Sequence, residues 1–418
     1  MAKKLSTEAY KGTRDFYPED MVIQRYIFDT WSKTAESFGF ARCDASVLEP
    51  SELYRSKSIE NEEIINDQTY SFTDRGNREV TLRPEMTPTV ARMIAHKRRD
   101  LSFPVRWYSI PNLFRYERPQ RGRLREHWQL NCDMFGSDHY SADIEMIVLA
   151  TSVLTAFGAK KNSFEVRIND RALLNELFTK EGFTHEQSNQ MLALLDRKDK
   201  ITNFNVEAKK IAGKPFVAPE TVPEGSTLAT IIDALKKFGI TAVYSPSTVR
   251  GFNYYTGTIF EIFDTDPKNN RSLIGGGRYD NLTSLFLPDR QAGSDDKISG
   301  IGFGMGDVTM RDFLETHNLL KGKIASTAPM LAILPMDESL NIESEKIAHA
   351  FRTEGISVSV DLSNKKVGKK ISIASDAGTH YILVIGENEV KSQAFTLKNL
   401  RTKEETRGAL TDLVIKIS

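Results

Sequence analysis

The sequence predicts an α+β fold in which an antiparallel sheet with flanking helices is interrupted by a helical insertion and followed by a small α/β domain. Three observations lead there. Short runs rich in aromatic and β-branched residues crowd residues 68–135, as expected for antiparallel strands with polar loops. Helical periodicity then fills 141–157 and 171–238, after which strand texture returns before Phe263 and again at 298–308. Beyond residue 330 strands and helices alternate over short lengths, the pattern of a largely parallel α/β sheet.

Taken in order, Val22, Tyr26, Phe28, Trp31, Ala35 and Phe38 fall at roughly helical spacing and Gly39 supplies a stop. Thr69–Thr73, Glu79–Arg83, Val105–Ile110 and His127–Phe135 form the first half of the sheet. Ile144, Ile147, Val148, Ala150 and Leu154 mark one long helix, and Leu173, Leu174, Leu177 and Phe178 open the insertion, about 171–238, broken between Pro215 and Pro223. VYSPSTVRGFNYYTGTIFEIF, ending at Phe263, and ISGIGFGMGDV, Ile298–Val308, complete the sheet. Leu319–Pro329 lacks periodicity and is expected to be a linker, which divides the chain into domains at 1–325 and 326–418. In the second, residues 330–335, 356–361 and 381–386 are expected strands, with helices at 339–352 and 366–377.

Composition narrows the function classes only coarsely. Lys plus Arg equals Asp plus Glu at 56 each, so any anion recognition must come from local clustering. Cys43 and Cys132 stand far apart in sequence and in no metal-ligand spacing, which argues against a disulfide framework and a structural zinc site and fits a reducing compartment. Met1-Ala2-Lys3-Lys4 leads into polar sequence, so no signal peptide or membrane anchor is expected and the cytoplasm is the expected location.

Chemistry concentrates in Phe114–Gly136, where Arg115, Arg118, Arg121, Arg123 and Arg125 surround Pro119 and Gly122. Guanidinium groups stay charged and offer planar, bidentate donors. Such a loop suits a polyphosphate, although a solvated basic hairpin accounts for the charge equally. Arg250 stands at the head of an apolar, aromatic run, where an anionic ligand or an acidic partner must meet it. Glycines cluster in GGGRYDNL (275–282) and GIGFGMGD (300–307); they permit close approach by a ligand or simply by a neighbouring strand. In TLRPEMT (81–87) Glu85 follows Pro84, placed either to hold a cationic group or to open a helix.

These segments, in this order, resemble the histidyl-tRNA synthetase family along nearly the whole chain. GTRDFYPED (12–20) resembles its amino-terminal signature, Pro50 the motif 1 proline of class II synthetases at the dimer interface, and Phe114–Gly136 their motif 2. TLRPEMT resembles the LRPE-x-T histidine element, and VRGFNYYTG, the most specific match, the RG-x-x-YYTG element.

The resemblance implies an ATP-dependent histidine-tRNA ligase with a class II catalytic domain and a carboxy-terminal anticodon-binding domain, working as a homodimer on L-histidine, ATP with its Mg²⁺, and histidine tRNA, with no protein-held metal. It places Glu85, Met86 and Thr87 at the histidine site, Glu85 and Thr87 on the α-amino group. Gln129 and Asp133 line the pocket, and Tyr254, Tyr255 and Tyr279 enclose the imidazole. Arg115 holds the α-phosphate, Glu117 the adenine amino group and Arg123 the outer phosphates, while Arg250 bridges the histidine carboxylate and the α-phosphate. Lys365, Lys366, Lys369 and Lys370 are expected on tRNA phosphates or at a solvated helix start. Motif 3 departs from the pattern: Thr309 occupies the place of its arginine, which packs on adenine and touches the γ-phosphate, and Arg311 would point about 200° away on a continuous helix. The alternative is a non-catalytic histidine sensor resembling the regulatory subunit of ATP phosphoribosyltransferase; Arg115, Arg250 and residues 330–418 weigh against it.

Overall fold

The computed structural model describes residues 4–55, 68–198, 201–249, 254–269, 271–287, 297–324 and 326–417. Arg250, on which the sequence reading leans, lies outside the described residues together with Gly251, Phe252 and Asn253. The chain divides into two compact units, Met1–Phe16 with Ile23–Lys323, and Tyr17–Val22 with Ile324–Ser418.

Among the described residues, the main sheet of the first unit has nine strands. They are β1 (Ala41–Arg42), β5 (Val105–Ser109), β6 (Asn112–Phe114), β7 (Glu126–Phe135), β8 (Phe164–Asp170), β9 (Ala242–Tyr244), β10 (Thr258–Asp264), β11 (Ser272–Arg278) and β12 (Gly300–Gly306). Their spatial order is β1-β5-β7-β12-β11-β10-β8-β9, with β6 also on β7. Every pairing is antiparallel except β1 with β5 and β8 with β9, at the two edges. A second, three-stranded sheet runs β2 (Leu48–Pro50), β4 (Glu79–Leu82), β3 (Tyr70–Thr73).

The two-residue period of β7 and β12 sorts their side chains onto opposite faces. Leu130, Cys132 and Met134 of β7 and Ile301, Phe303 and Met305 of β12 face a large apolar core, shared with helices α1 (Pro18–Ser37), α3 (Ser141–Ala156) and α8 (Asp307–Thr316). Fully buried Phe260 and Phe313 belong to this core; burial of each contributes about 1.5–3 kcal/mol. The opposite face carries Gln129, Asp133, Gly302 and Gly304, and there helix α2 (Thr87–Lys97) packs Met86, Val90, Ala91 and Ile94 with Phe135, Ile259 and Tyr279. A buried ion pair between Arg278 and Asp143 pins β11 to α3 from the core side. Among the described residues β9 ends at Tyr244, just before Pro246, and β10 begins only at Thr258, so the strand texture before Phe263 is divided between two strands.

The insertion is smaller than its periodicity indicates. Helices α4 (Arg171–Lys180), α5 (His185–Asp196) and α6 (Phe204–Ala212) enclose a separate core of Leu174, Phe178, Met191, Leu195, Phe204 and Phe216. Helix α7 (Thr227–Lys237) instead sends Leu228, Ile231 and Leu235 into the main core. Cys43 and Cys132, distant in sequence, lie near each other and near Asp133. Burial pushes the Cys43 thiol up to about 12 and the Cys132 thiol well above its ordinary value. Both thiols are therefore held in the protonated form, which is a poor nucleophile.

The second unit has a five-stranded sheet in the order β14 (Val358–Val360), β13 (Leu331–Pro335), β15 (Tyr381–Ile385), β16 (Phe395–Asn399), β17 (Glu405–Gly408). The first three strands are parallel, but β16 and β17 add antiparallel pairings that the helix–strand alternation does not foretell. Helices α9 (Asn341–Thr353), α10 (Val367–Asp376) and α11 (Leu410–Ile417) cover it. One residue of the expected basic cluster is removed from any surface role: Lys370 is only 5% exposed. Its ammonium donates to the carbonyls of Pro335 (3.0 Å) and Asp361 (3.2 Å). Lys365, Lys366 and Lys369 are exposed; consecutive helical positions differ by about 100°, so Lys369 faces water while Lys370 turns to the sheet.

Candidate active site

Four separated segments converge on the polar face of β7 and β12. Asp133 is 2% exposed and accepts hydrogen bonds from the Tyr279 hydroxyl and from Thr87 Oγ1, the latter at 3.5 Å. Tyr254 donates from its hydroxyl to Glu85 Oε2 at 3.0 Å. The rings of Tyr254 and Tyr279 meet edge to face at 5.7 Å between centroids, with Tyr255 4.8 Å from Tyr254. Met86 is fully buried beside these tyrosines. Glu85, Met86, Thr87, Asp133, Tyr254, Tyr255 and Tyr279 thus form one continuous enclosure.

The glycines of β12 are what leave room for it. A Cβ at Gly302 would lie 2.5 Å from both Asp133 Oδ1 and the Tyr279 hydroxyl, and 2.7 Å from the Cys132 carbonyl. At Gly304 it would meet the Gln129 amide at 2.6–3.0 Å. A side chain at either position would fill the space that Asp133 and Gln129 occupy, so the strand presents bare backbone to these side chains. Of the two possibilities open for these glycines, close approach is the one the geometry displays: the polar face of β12 lies directly against Asp133, Tyr279 and Gln129.

Burial dominates the electrostatics. It raises the Asp133 carboxyl to about 7, against the opposing hydrogen bonds from Tyr279 and Thr87. It likewise pushes Tyr279 and Tyr254 well up, reinforced by the neighbouring Asp133 and Glu85 carboxylates, so both phenols remain donors.

Beside this pocket the motif 2 hairpin supplies cations. Strand β6 pairs with β7 through Leu113 and His127, and the loop between closes by a bridge of Gln120 with Arg123. Arg115 Nε donates to the Pro84 carbonyl at 2.8 Å, which ties the loop to the segment bearing Glu85. Arg123 forms an ion pair with the buried Glu117 carboxylate. Arg125 has a structural place: it lies 3.9 Å over the Tyr116 ring and donates to Lys11 O and the Tyr10 hydroxyl. Arg121 donates to Asn269 Oδ1 at 2.9 Å, and Arg118 is exposed.

Sequence reasoning passed over two residues here. Asp307, the first residue of α8, is buried and holds Arg14 at 2.7 Å, Gln24 at 3.3 Å and the Trp128 amide at 2.9 Å. It locks the amino-terminal segment and motif 3 to β7; a lone acid after a glycine run gave no signal of that. His127 retains some exposed surface, yet burial and the charges of Arg115, Arg14 and Arg123 press its pKa down to about 3, so the ring is neutral. Thr309 faces the motif 2 loop, while Arg311 donates to Glu315 at 2.9 Å one turn further along its own helix. Among the described residues no group of three or more His, Cys, Asp and Glu is arranged to hold a metal ion, and no helix is long and apolar enough to cross a membrane.

Comparison with known proteins identifies the family and the fold. The chain is 43% identical to a histidine–tRNA ligase of Leptospira biflexa, over 99% of this chain and 98% of that one. It is 37% identical to one from Thermoplasma volcanium, with 98% of each chain covered. Among solved structures, the apo histidyl-tRNA synthetase of S. aureus superposes with a TM-score of 0.76 at 24% identity, covering 99% of this chain and 100% of that one, a likeness of fold. The anticodon binding domain family matches residues 330–418. With the histidyl-tRNA synthetase family matching residues 12–215 and 200–303, the chain belongs to that family and carries the class II synthetase fold.

Proposed function

We propose that this chain activates L-histidine with ATP and transfers it to the 3′-terminal adenosine of histidine tRNA. The observation that carries this reading is the glycine-floored enclosure in which Glu85, Thr87, Asp133, Tyr254 and Tyr279 form one hydrogen-bonded and ring-packed set beside the Arg115 guanidinium. Glu85 and Thr87 receive the α-amino group; Gln129 and Asp133 meet the imidazole nitrogens, with Met86 and Tyr254, Tyr255 and Tyr279 as walls. Buried polar groups of this kind reject amino acids that leave them unpaired far better than shape alone does. The anticodon-binding match over 330–418 favours a ligase over the histidine-sensing alternative.

In the first step a histidine carboxylate oxygen attacks the α-phosphorus in line, and the bond to the bridging oxygen breaks as pyrophosphate leaves. The protein's part is alignment and neutralisation of charge on the phosphoryl oxygens. Arg115, held on the Pro84 carbonyl, and Arg250 take the α-phosphate and the carboxylate. Arg123 takes the outer phosphates and Glu117 the adenine amino group, with Mg²⁺ entering as the nucleotide's counter-ion. In the second step the tRNA 3′-hydroxyl attacks the adenylate carbonyl, and AMP leaves. The chain works in the cytoplasm as a homodimer, the region around Pro50 supplying the contact.

Amino-acid-dependent ATP–pyrophosphate exchange, measured across the twenty amino acids, is expected with histidine alone, and labelled histidine should pass to tRNA. Arg115→Ala and Arg250→Ala should each lower exchange by about 10²–10³-fold in folded protein. Exchange driven by another amino acid, or undiminished in both variants, would overturn the assignment.

A further inference from the structure

The motif 2 loop meets the start of β11 and helix α8 at a cleft lined by Arg121, Gly122, Lys268, Arg271, Thr309 and Asp312. Gly122 has φ +72°, and a Cβ built there would lie 3.2 Å from Cγ of Arg271 and 3.2 Å from Cγ2 of Thr309. The stem of Arg271 therefore packs over the loop's backbone together with the Thr309 methyl, and a side chain at position 122 would displace it.

The cations around this cleft differ in their engagements. Arg121 is held by Asn269 and lies 3.7 Å from Asp312. Arg123 is paired with Glu117. Arg271, by contrast, makes no hydrogen bond or ion pair with any described residue. It still senses the same charges: burial and the Arg123 guanidinium push its pKa down, and Glu117 opposes them. Two guanidinium groups thus share a single carboxylate. A half-buried cation in that setting is costly until an anion joins it. Helix α8 offers no cation toward the loop, because Thr309 is neutral and Arg311 is engaged with Glu315.

We propose that Arg271 binds the outer phosphates of ATP beside Arg123, supplying from the edge of β11 the guanidinium that Thr309 cannot supply from helix α8. The proposal rests on the ATP-dependent reading above and adds to it a residue outside the motifs that carried the family resemblance. Arg271 serves as a phosphate-binding residue; the histidine enclosure does not involve it.

Arg271→Ala in the full chain tests this by two measurements: equilibrium dialysis of labelled ATP with Mg²⁺, and histidine-dependent pyrophosphate exchange. Loss of a charge-assisted phosphate contact should weaken ATP binding and raise the KM for ATP roughly tenfold or more, leaving the KM for histidine within about twofold. Adding Thr309→Arg in that background should bring the ATP KM back severalfold. Should Arg271→Ala fail to fold, Arg271→Lys serves: it keeps the charge but not the planar fork, and the ATP KM should still rise. An unchanged KM for ATP in the folded variant, or equal rises in both KM values, overturns the proposal. Absent exchange in the wild type combined with weaker ATP dialysis in the variant would sink the ligase reading while leaving the phosphate contact standing.

Discussion

Asp133 joins a buried carboxyl to two hydroxyl donors, and its raised pKa gives the folded protein a pH dependence that one substitution can isolate. Its ordinary value is 3.8 and its folded value about 7. Between those values the unfolded chain has already lost this proton while the folded chain keeps it. Stability should therefore fall as pH rises through that window and level off above it, by an amount on the order of a few kcal/mol. Asp133→Asn keeps an acceptor for Tyr279 and Thr87 but cannot ionise. Its melting temperature should match the wild type near pH 4 and exceed it near pH 8, while histidine affinity drops by about tenfold or more. Parallel melting curves for the two proteins across that range would refute the account.

Strand β12 works by absence on one face and bulk on the other, and its two pocket glycines should fail differently. At Gly302 an added methyl group meets the Cys132 carbonyl at 2.7 Å as well as Asp133 and Tyr279. The backbone cannot yield, so Gly302→Ala should cost about 1–3 kcal/mol of stability and abolish histidine binding. At Gly304 the obstruction is the end of the Gln129 side chain, which can swing away. Gly304→Ala should melt close to wild type yet raise the KM for histidine severalfold; thermal denaturation and exchange kinetics together separate the two. A histidine KM left unchanged in Gly304→Ala would remove Gln129 from the pocket.

For the whole molecule the second unit makes its own prediction. Lys365, Lys366 and Lys369 are exposed at the start of α10, where unpaired backbone amides already favour anions. Changing the three to Ala should weaken tRNA binding and reduce the slope of log affinity against log salt by about 2–3, with adenylate formation intact. Lys370→Ala should instead lower the stability of that unit and leave the salt slope alone, because its ammonium serves the Pro335 and Asp361 carbonyls. Salt titration of tRNA binding distinguishes them. An equal loss of slope from Lys370→Ala would contradict its buried placement.

Much of this was open to the sequence alone. Strand-like texture gave β7 and β12, the 3.6-residue period gave α1 and α3, and the ordered motifs gave the family, because each signal is local and its spacing survives in the linear chain. Tertiary structure decided what depends on neighbours. It split the insertion between two cores, sent Lys370 inward, and added antiparallel strands β16 and β17 beside a parallel trio. It also sorted the motif 2 arginines into a structural clamp at Arg125, an ion pair at Arg123 and an anchored cation at Arg115, and it brought Arg271 against Gly122 and Thr309. Charge and burial are properties of the assembled surroundings: a lone Arg271 or Asp133 reads the same in any sequence, and only its packed neighbours fix whether it is paired, protonated or waiting for an anion.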